Sequence, residues 1–334
     1  MKLTINIISE TPFTVQGHGV HTAFVEAVEA FKKIGLNVLT NSNEPCDIMH
    51  VHTIGPYALT KILRNRKKYK KLVITAHVIP DSFVGSIVGS RYWLPLARRY
   101  LKFFYGLANA IIAVSPDVKK ELEKMHIDKK IFFIPNSVNP EKFKHSDEDR
   151  KKIRTKLHLK PKEFVVMNTG QIQPRKGIES FVNTAHDLPD VTFIWIGGMP
   201  FKKLAADHVA MENLMKNAPK NVIFPGIVPY EEMPAYYSAG DVLFFPSYQE
   251  NFPFSILEAA AAGLPIILRD IDLYRPIFGD NYIKATDSTF TDEIIRLKKD
   301  TQHYNEYRTK SGGIAKRYDS TTTARELLEI YKTL

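Results

Sequence analysis

The sequence predicts an α/β protein made of two doubly wound, parallel-sheet domains of similar size. Three observations carry this. Short apolar runs alternate with helical patterns, the signature of a parallel sheet with right-handed crossovers. Around residues 139–162 the composition turns polar and charged, as in a linker, and the alternation then restarts. A chain of 334 residues is also long for one domain.

In the first half, apolar runs at 3–9, 37–40, 47–52, 72–77, 110–115 and 131–135 read as strands. Helical patterns such as 20–34 and 116–125 lie between them. In the second half, strands are expected at 164–169, 191–197, 222–224, 242–245 and 265–268. Residues 301–334 read as helix, with breaks near Gly312-Gly313 and Asp319. The expected division is 1–150, 151–318 and a C-terminal helix over 319–334.

Composition narrows the function classes. Cys46 is the only cysteine, which excludes a disulfide framework and a cysteine zinc cluster. The apolar run at the N-terminus is too short for a signal peptide. No stretch approaches the roughly 18 apolar residues of a membrane span. A reducing, cytoplasmic location is expected. The net charge of +10 is one-sided: residues 1–150 hold 22 Lys/Arg against 14 Asp/Glu, and the remainder 24 against 22. Such a field points to an anionic partner: nucleic acid, a membrane surface or a phosphorylated substrate.

The most informative run is 246–259, PSYQENFPFSILEA. It sets Glu250 before a helix and Glu258 inside it, after one predicted strand and before the next. Ligands bind at the carboxyl ends of strands in such sheets, and a helix N-terminus offers free backbone N–H groups to an anion. Two carboxylates and an anion hole suit a sugar joined to a phosphate. Gly170 to Gly177 (GQIQPRKG) also follows a strand and opens a helix, placing Arg175 and Lys176 beside the same sheet edge; a solvated loop is the plainer alternative. Gly17 and Gly19 follow the first strand, where close backbone approach to a ligand and an ordinary tight turn fit equally. His50 and His52 alternate along one strand and read as structural histidines rather than metal ligands, whereas His77 ends its strand and is a candidate substrate contact. Asp270-Ile271-Asp272 matches a short metal-binding pattern, D-x-D, but falls after the second-half site and reads as a loop or helix cap. No metal site is expected.

Together these motifs resemble the retaining glycosyltransferases of family 4, which have the GT-B fold, and among them most of all the bacterial diglycosyl-diacylglycerol synthases. The resemblance covers nearly the whole chain. It rests on the segments DIMHVH (47–52), AIIAVS (110–115) and IPNSVN (134–139), on the Lys176-Gly177 loop, and on the E-x7-E run with its P-S prefix and E-A-x-x-x-G-x-P suffix. It implies two Rossmann-like domains facing across a cleft, the last helix crossing back onto the first. It also implies that Glu250 holds the donor sugar hydroxyls, Glu258 the ribose, and Lys176 the diphosphate. Asn251, Phe252, Pro253 and Phe254 would surround sugar and phosphate, Gly17 and Gly19 would lie near the diphosphate and acceptor, and His77 would face the donor sugar. Two positions depart from the family pattern: Gln171 stands where arginine is usual, with Arg175 as a compensating charge, and Asn251 replaces a glycine.

The implied reaction moves glucose or galactose from UDP-glucose or UDP-galactose without a metal or other cofactor. The acceptor is read from the basic half. Residues 58–71 form an amphipathic pattern with Ala58, Leu59, Ile62 and Leu63 inward and Lys61, Arg64, Lys67, Lys68 and Lys71 outward. Residues 91–106 form another, with Trp93, Leu96, Tyr100 and Phe104 beside Arg98, Arg99 and Lys102. Basic–aromatic helices of this kind suit anionic lipid, at about 1 kcal/mol per cation near the surface. Core-packing helices with solvated outer faces are the alternative. With the resemblance, the lipid reading leads to a glycolipid acceptor such as monoglucosyl-diacylglycerol and to peripheral attachment at the inner face of the cell membrane. A soluble or polysaccharide acceptor is the alternative within the fold, and a sugar-nucleotide-binding scaffold the alternative to catalysis. The basic residues carry no nucleic-acid motif, so no nucleic-acid partner is expected. Oligomeric state is left open.

Overall fold

In a computed structural model of the chain, residues 3–13, 19–83, 90–199 and 207–334 are described. They divide into two units: one takes Met1–Ser137 with Tyr318–Leu334, the other Val138–Arg317.

The first unit holds strands β1 (Thr4–Ile8), β2 (Asn37–Thr40), β3 (Cys46–Val51), β4 (Tyr69–Ala76), β5 (Ala110–Ala113) and β6 (Lys130–Phe133). Helices α1 (Gly19–Lys33), α2 (Pro56–Arg64), α3 (Ser90–Gly106) and α4 (Pro116–Lys124) lie between them in the chain. The strands pair in parallel in the order β2-β1-β3-β4-β5-β6. The order reverses between β1 and β3, which makes that point the expected ligand crevice. The central strands β1, β3, β4 and β5 are largely buried and read as unbroken apolar runs, whereas the edge strands β2 and β6 are part-exposed and show only short ones.

The second unit holds α5 (Asp147–Lys156), β7 (Val165–Thr169), α6 (Ile178–Asp187), β8 (Thr192–Ile196), α7 (His208–Lys216), β9 (Val222–Gly226) and α8 (Met233–Ala239). It continues with β10 (Val242–Phe245), α9 (Phe254–Ala261), β11 (Ile266–Arg269), α10 (Tyr274–Phe278), β12 (Ile283–Ala285), α11 (Phe290–Lys299) and α12 (Thr301–Arg317). Its sheet, again parallel, runs β12-β11-β10-β7-β8-β9, with the reversal between β7 and β10. Aromatic rings fill the core: Phe181 stacks on Phe244 with centroids 5.6 Å apart and meets Phe193 and Trp195 edge-on at 5.3 and 5.1 Å. A last helix, α13 (Ser320–Lys332), returns to the first unit, where Ala324, Leu327 and Tyr331 join the core of Ile5, Ile7, Phe31 and Ile48.

Several expectations shift. The division falls at residue 137 rather than 150, because Phe143 is buried against Tyr230 and Tyr237 of the second unit. From α5, Arg150 and Arg154 grip opposite oxygens of Asp241 at 2.6 and 2.8 Å. The charged composition of 139–162 is thus a clamp and not a free linker. Strand β12 is missing from the sequence reading because it has three residues and only Ile283 and Ala285 point inward. Helix α12 runs straight through Gly312-Gly313: each interior glycine costs about 1 kcal/mol, which the burial of Ile314 and Ala315 offsets. The break does come at Asp319, whose carboxylate accepts from the amides of Thr321 and Thr322 and so caps α13.

Candidate active site

The reversal between β7 and β10 brings the loops after these two strands together. The β7 loop is anchored by Gly170 N–H on the Ile196 carbonyl (2.9 Å) and by the Trp195 indole on the Gly170 carbonyl (2.9 Å). Gly177 ends this loop at φ +75°, and a Cβ there would collide with the Pro246 carbonyl oxygen of the β10 loop. Glycine is therefore required twice, for its left-handed backbone and for the close approach. The β10 loop reciprocates: Tyr248 N–H donates to the Arg175 carbonyl at 2.9 Å, and the Ser247 hydroxyl lies 3.2 Å from the same oxygen. Arg269 holds the same loop from below, donating to the Pro246 carbonyl and stacking on the Tyr248 ring at 3.8 Å, with Asp287 gripping its far side.

At the mouth of these loops the Lys176 ammonium meets Glu250 Oε1 at 2.6 Å, and Ser247 donates to the same oxygen at 2.7 Å. Both side chains are largely sheltered, 16% and 7% exposed. Burial pushes the Lys176 pKa below its ordinary value, with Glu250 opposing the shift and Arg175 adding to it. Glu258, on α9, is buried and takes a 2.7 Å hydrogen bond from Tyr237, whose hydroxyl also lies 2.9 Å from Thr169. Burial and the neighbouring Glu258 push the Tyr237 pKa far up, so the phenol stays protonated and donates. Ser255, in the first turn of α9, reaches back to the Thr169 carbonyl at 3.1 Å. Phe252 and Phe254 are buried beside this turn, and Pro253, the residue before the helix, has no side-chain acceptor with which to cap it.

The structure thus brings Lys176, Glu250, Asn251 and Glu258 to one sheet edge. Gln171, Gln173 and Arg175 form a hydrogen-bonded row, Gln173 donating to Gln171 at 2.9 Å and Arg175 to Gln173 at 3.1 Å. Arg175 also reaches the Gln249 carbonyl at 3.3 Å. Tyr237, Ser247 and Arg269 escape the sequence reading as site residues. Only Ser247 left a trace, in the P-S prefix of the motif; Tyr237 meets Glu258 across two helices that no spacing rule connects.

In the first unit, Gly17 lies outside the described residues, and Gly19 opens α1 as an exposed residue. His77 follows β4, its Nε2 3.2 Å from Nδ1 of His52. His50 uses both ring nitrogens, on Thr75 and on Tyr331, each at 2.6 Å. Burial pushes its pKa down to about 3 and that of His52 well down too. Asp270 pairs with Lys284 at 2.9 Å, as a loop residue would. Among the described residues, no three His, Cys, Asp or Glu side chains gather as metal ligands.

The basic helices need correction. Helix α2 ends at Arg64, so Lys68 lies in a turn and Lys71 on β4. Lys61 and Lys68 are tied to the loop at Asn41 and Asn43. Leu63, expected inside, is 56% exposed. On α3, Phe104 is fully buried, whereas Phe103 and Leu96 are 54% and 70% exposed. The inward face is Ala97, Leu101, Phe104 and Tyr105; the outward one carries Leu96, Arg99 and Phe103, flanked by Arg98 and Lys102, with Trp93 half-buried. Arg98 is also paired with Glu121 at 2.6 Å. No helix among the described residues is long and apolar enough to cross a membrane.

Comparison with known proteins fits this architecture. Over 99% of both chains it superposes on sucrose-phosphate synthase from Thermosynechococcus elongatus (TM-score 0.79, 18% identity). With HepE of Anabaena bound to UDP and glucose the TM-score is 0.77 at 18% identity, covering 99% of this chain and 100% of that one. The fold is that of the GT-B glycosyltransferases. Residues 30–142 match the family model Glycosyltransferase Family 4, and residues 149–312 match Glycosyl transferases group 1. The alpha-galactosylglucosyldiacylglycerol synthase of Streptococcus pneumoniae is 33% identical over 338 residues, 99% of this chain and 90% of that protein. The processive diacylglycerol alpha-glucosyltransferase of Acholeplasma laidlawii is 30% identical over 273 residues, 81% and 80% of the two chains. The chain belongs to glycosyltransferase family 4.

Proposed function

We propose that this enzyme transfers glucose or galactose from a UDP-linked donor to a membrane glycolipid such as monoglucosyl-diacylglycerol, with retention, forming an α-glycosidic bond. The observation that carries the donor half is the sheltered Lys176–Glu250 pair at the reversal of the second sheet, with Glu258 held by Tyr237 behind it. Glu250 holds the sugar hydroxyls and Glu258 the ribose. The diphosphate takes Lys176, Arg175 and the N-terminal amides of α9. As the bond from the anomeric carbon to the diphosphate breaks, negative charge grows on the departing oxygen, and fixed cations stabilise that charge without reorganising. The acceptor oxygen bonds to the same face of the sugar and its proton passes to the departing phosphate. His77 is read as a substrate contact.

The acceptor half rests on the named relatives, which include two diacylglycerol glycosyltransferases, and on the outward face of α3. Exposed Leu96 and Phe103 beside Arg99, Lys102 and Arg98 suit an anionic lipid surface, attached from the cytoplasmic side. Arg64 and Lys67 add charge near exposed Leu63.

Incubation with UDP-glucose and UDP-galactose, with and without monoglucosyl-diacylglycerol in anionic vesicles, tests both halves. Expected are release of UDP from one donor and an α-linked dihexosyl lipid. A product with a β-linkage, or UDP release that no glycolipid stimulates, overturns the assignment.

A further inference from the structure

His50 lies on β3, and His52 and His77 sit at the carboxyl ends of the adjacent strands β3 and β4. The His52 and His77 rings stack with centroids 5.4 Å apart and planes 27° apart, and His52 Nδ1 lies 3.2 Å from His77 Nε2. One of these nitrogens must donate and the other accept.

The far side of His52 decides which. Its Nε2 is buried and meets no hydrogen-bond partner among the described residues. A proton there would strand an N–H away from water, and orphaned buried N–H groups are rarer than under-used acceptors. Burial keeps the ring neutral, so it carries a single proton. That proton belongs on Nδ1, and His52 donates it to His77. On its other face His52 lies 4.5 Å from the ring of His50, which Thr75 and Tyr331 immobilise.

We propose that His52 is the positioning residue of His77: by donating to Nε2 it fixes the ring plane and holds the single proton of the His77 ring on Nδ1. The hydrogen bond at one imidazole nitrogen sets the state of the other. The kinetic part of this inference rests on the role proposed above for His77.

Two measurements test it. In the full-length protein labelled with 15N-histidine, the His77 signals, identified by their loss in His77→Gln, are expected to show the proton on Nδ1; a proton on Nε2 overturns the proposal. In kinetics, His52→Leu is expected to lower kcat about 10- to 100-fold, the usual effect of removing a group that orients a working histidine, with donor KM nearly unchanged. His52→Asn, whose amide N–H takes the place of Nδ1–H, is expected to restore most of the lost rate. Equal rates for the Leu and Asn variants overturn the positioning role. Full turnover in His77→Ala removes the role of His77 instead, and the nitrogen spectrum still decides the pairing.

Discussion

The two sheets reverse their strand order at equivalent points but equip those points differently. In the second unit the crevice is lined by charges already paired: Lys176 with Glu250, Glu258 with Tyr237, Arg269 with Asp287. In the first unit the corresponding edge carries imidazole rings, His52 stacked on His77 and, like His50, kept neutral by burial, while cations stand on the outward helix face. A phosphate-bearing donor needs cations whose positions are set before it arrives. A lipid-linked acceptor is reached from a surface, where apolar and cationic side chains must remain exposed.

The largest expected effect breaks the charged side of this comparison. Lys176→Ala and Glu250→Ala should each lower kcat by about a thousandfold, the scale of losing one electrostatic stabiliser of a departing anion. Each also leaves a sheltered charge without its partner, which typically costs about 3–5 kcal/mol. The double variant Lys176→Met/Glu250→Gln should recover stability in urea titrations but not turnover. Wild-type turnover in Lys176→Ala would remove the role assigned to that residue.

Acid should separate the units next. His50 protonates near pH 6.5 in the unfolded chain but only at about 3 when folded. Below pH 6.5 the unfolded state therefore binds more protons, and stability falls with pH. At pH 5 His50 alone should cost about 2 kcal/mol, with His52 acting in the same direction. Hydrogen exchange at pH 8 and pH 5, corrected for intrinsic rates, should show first-sheet strands losing protection before those of the second sheet. Uniform loss would contradict the assignment.

A smaller effect concerns α3. Leu96→Ser/Phe103→Ser should reduce sedimentation with anionic vesicles by about tenfold, roughly the apolar area withdrawn from the interface, while UDP release in solution stays unchanged. Phe104→Ser should instead destabilise the fold. The smallest expected effect is none: EDTA should leave turnover unaltered, and a strong loss restored by a divalent cation would overturn the metal-free reading.

Legibility followed burial. Eleven of the twelve strands among the described residues are apparent in the sequence: those covered on both faces are continuous apolar runs, and the part-exposed β2, β6 and β9 still carry short ones; three-residue β12 is too short to register. The Lys176, Glu250 and Glu258 motif is visible because its glycines and prolines punctuate two loops, but nothing in the sequence shows that Lys176 and Glu250 touch. The phase of α3 was ambiguous for a simple reason. Phe103, Phe104 and Tyr105 are consecutive, so apolar periodicity cannot say which ring faces inward, and the structure buries the last two. The Tyr237–Glu258 contact joins α8 to α9 and has no sequence signature at all.

The return of α13 to the first unit has a consequence for synthesis. The second unit is one continuous stretch and can fold as soon as it has been translated. The first lacks Ala324, Leu327 and Tyr331 from its core until nearly two hundred residues after its last strand. The half that begins synthesis first is therefore the half that finishes folding last, and it waits on the ribosome with an open seam along α1.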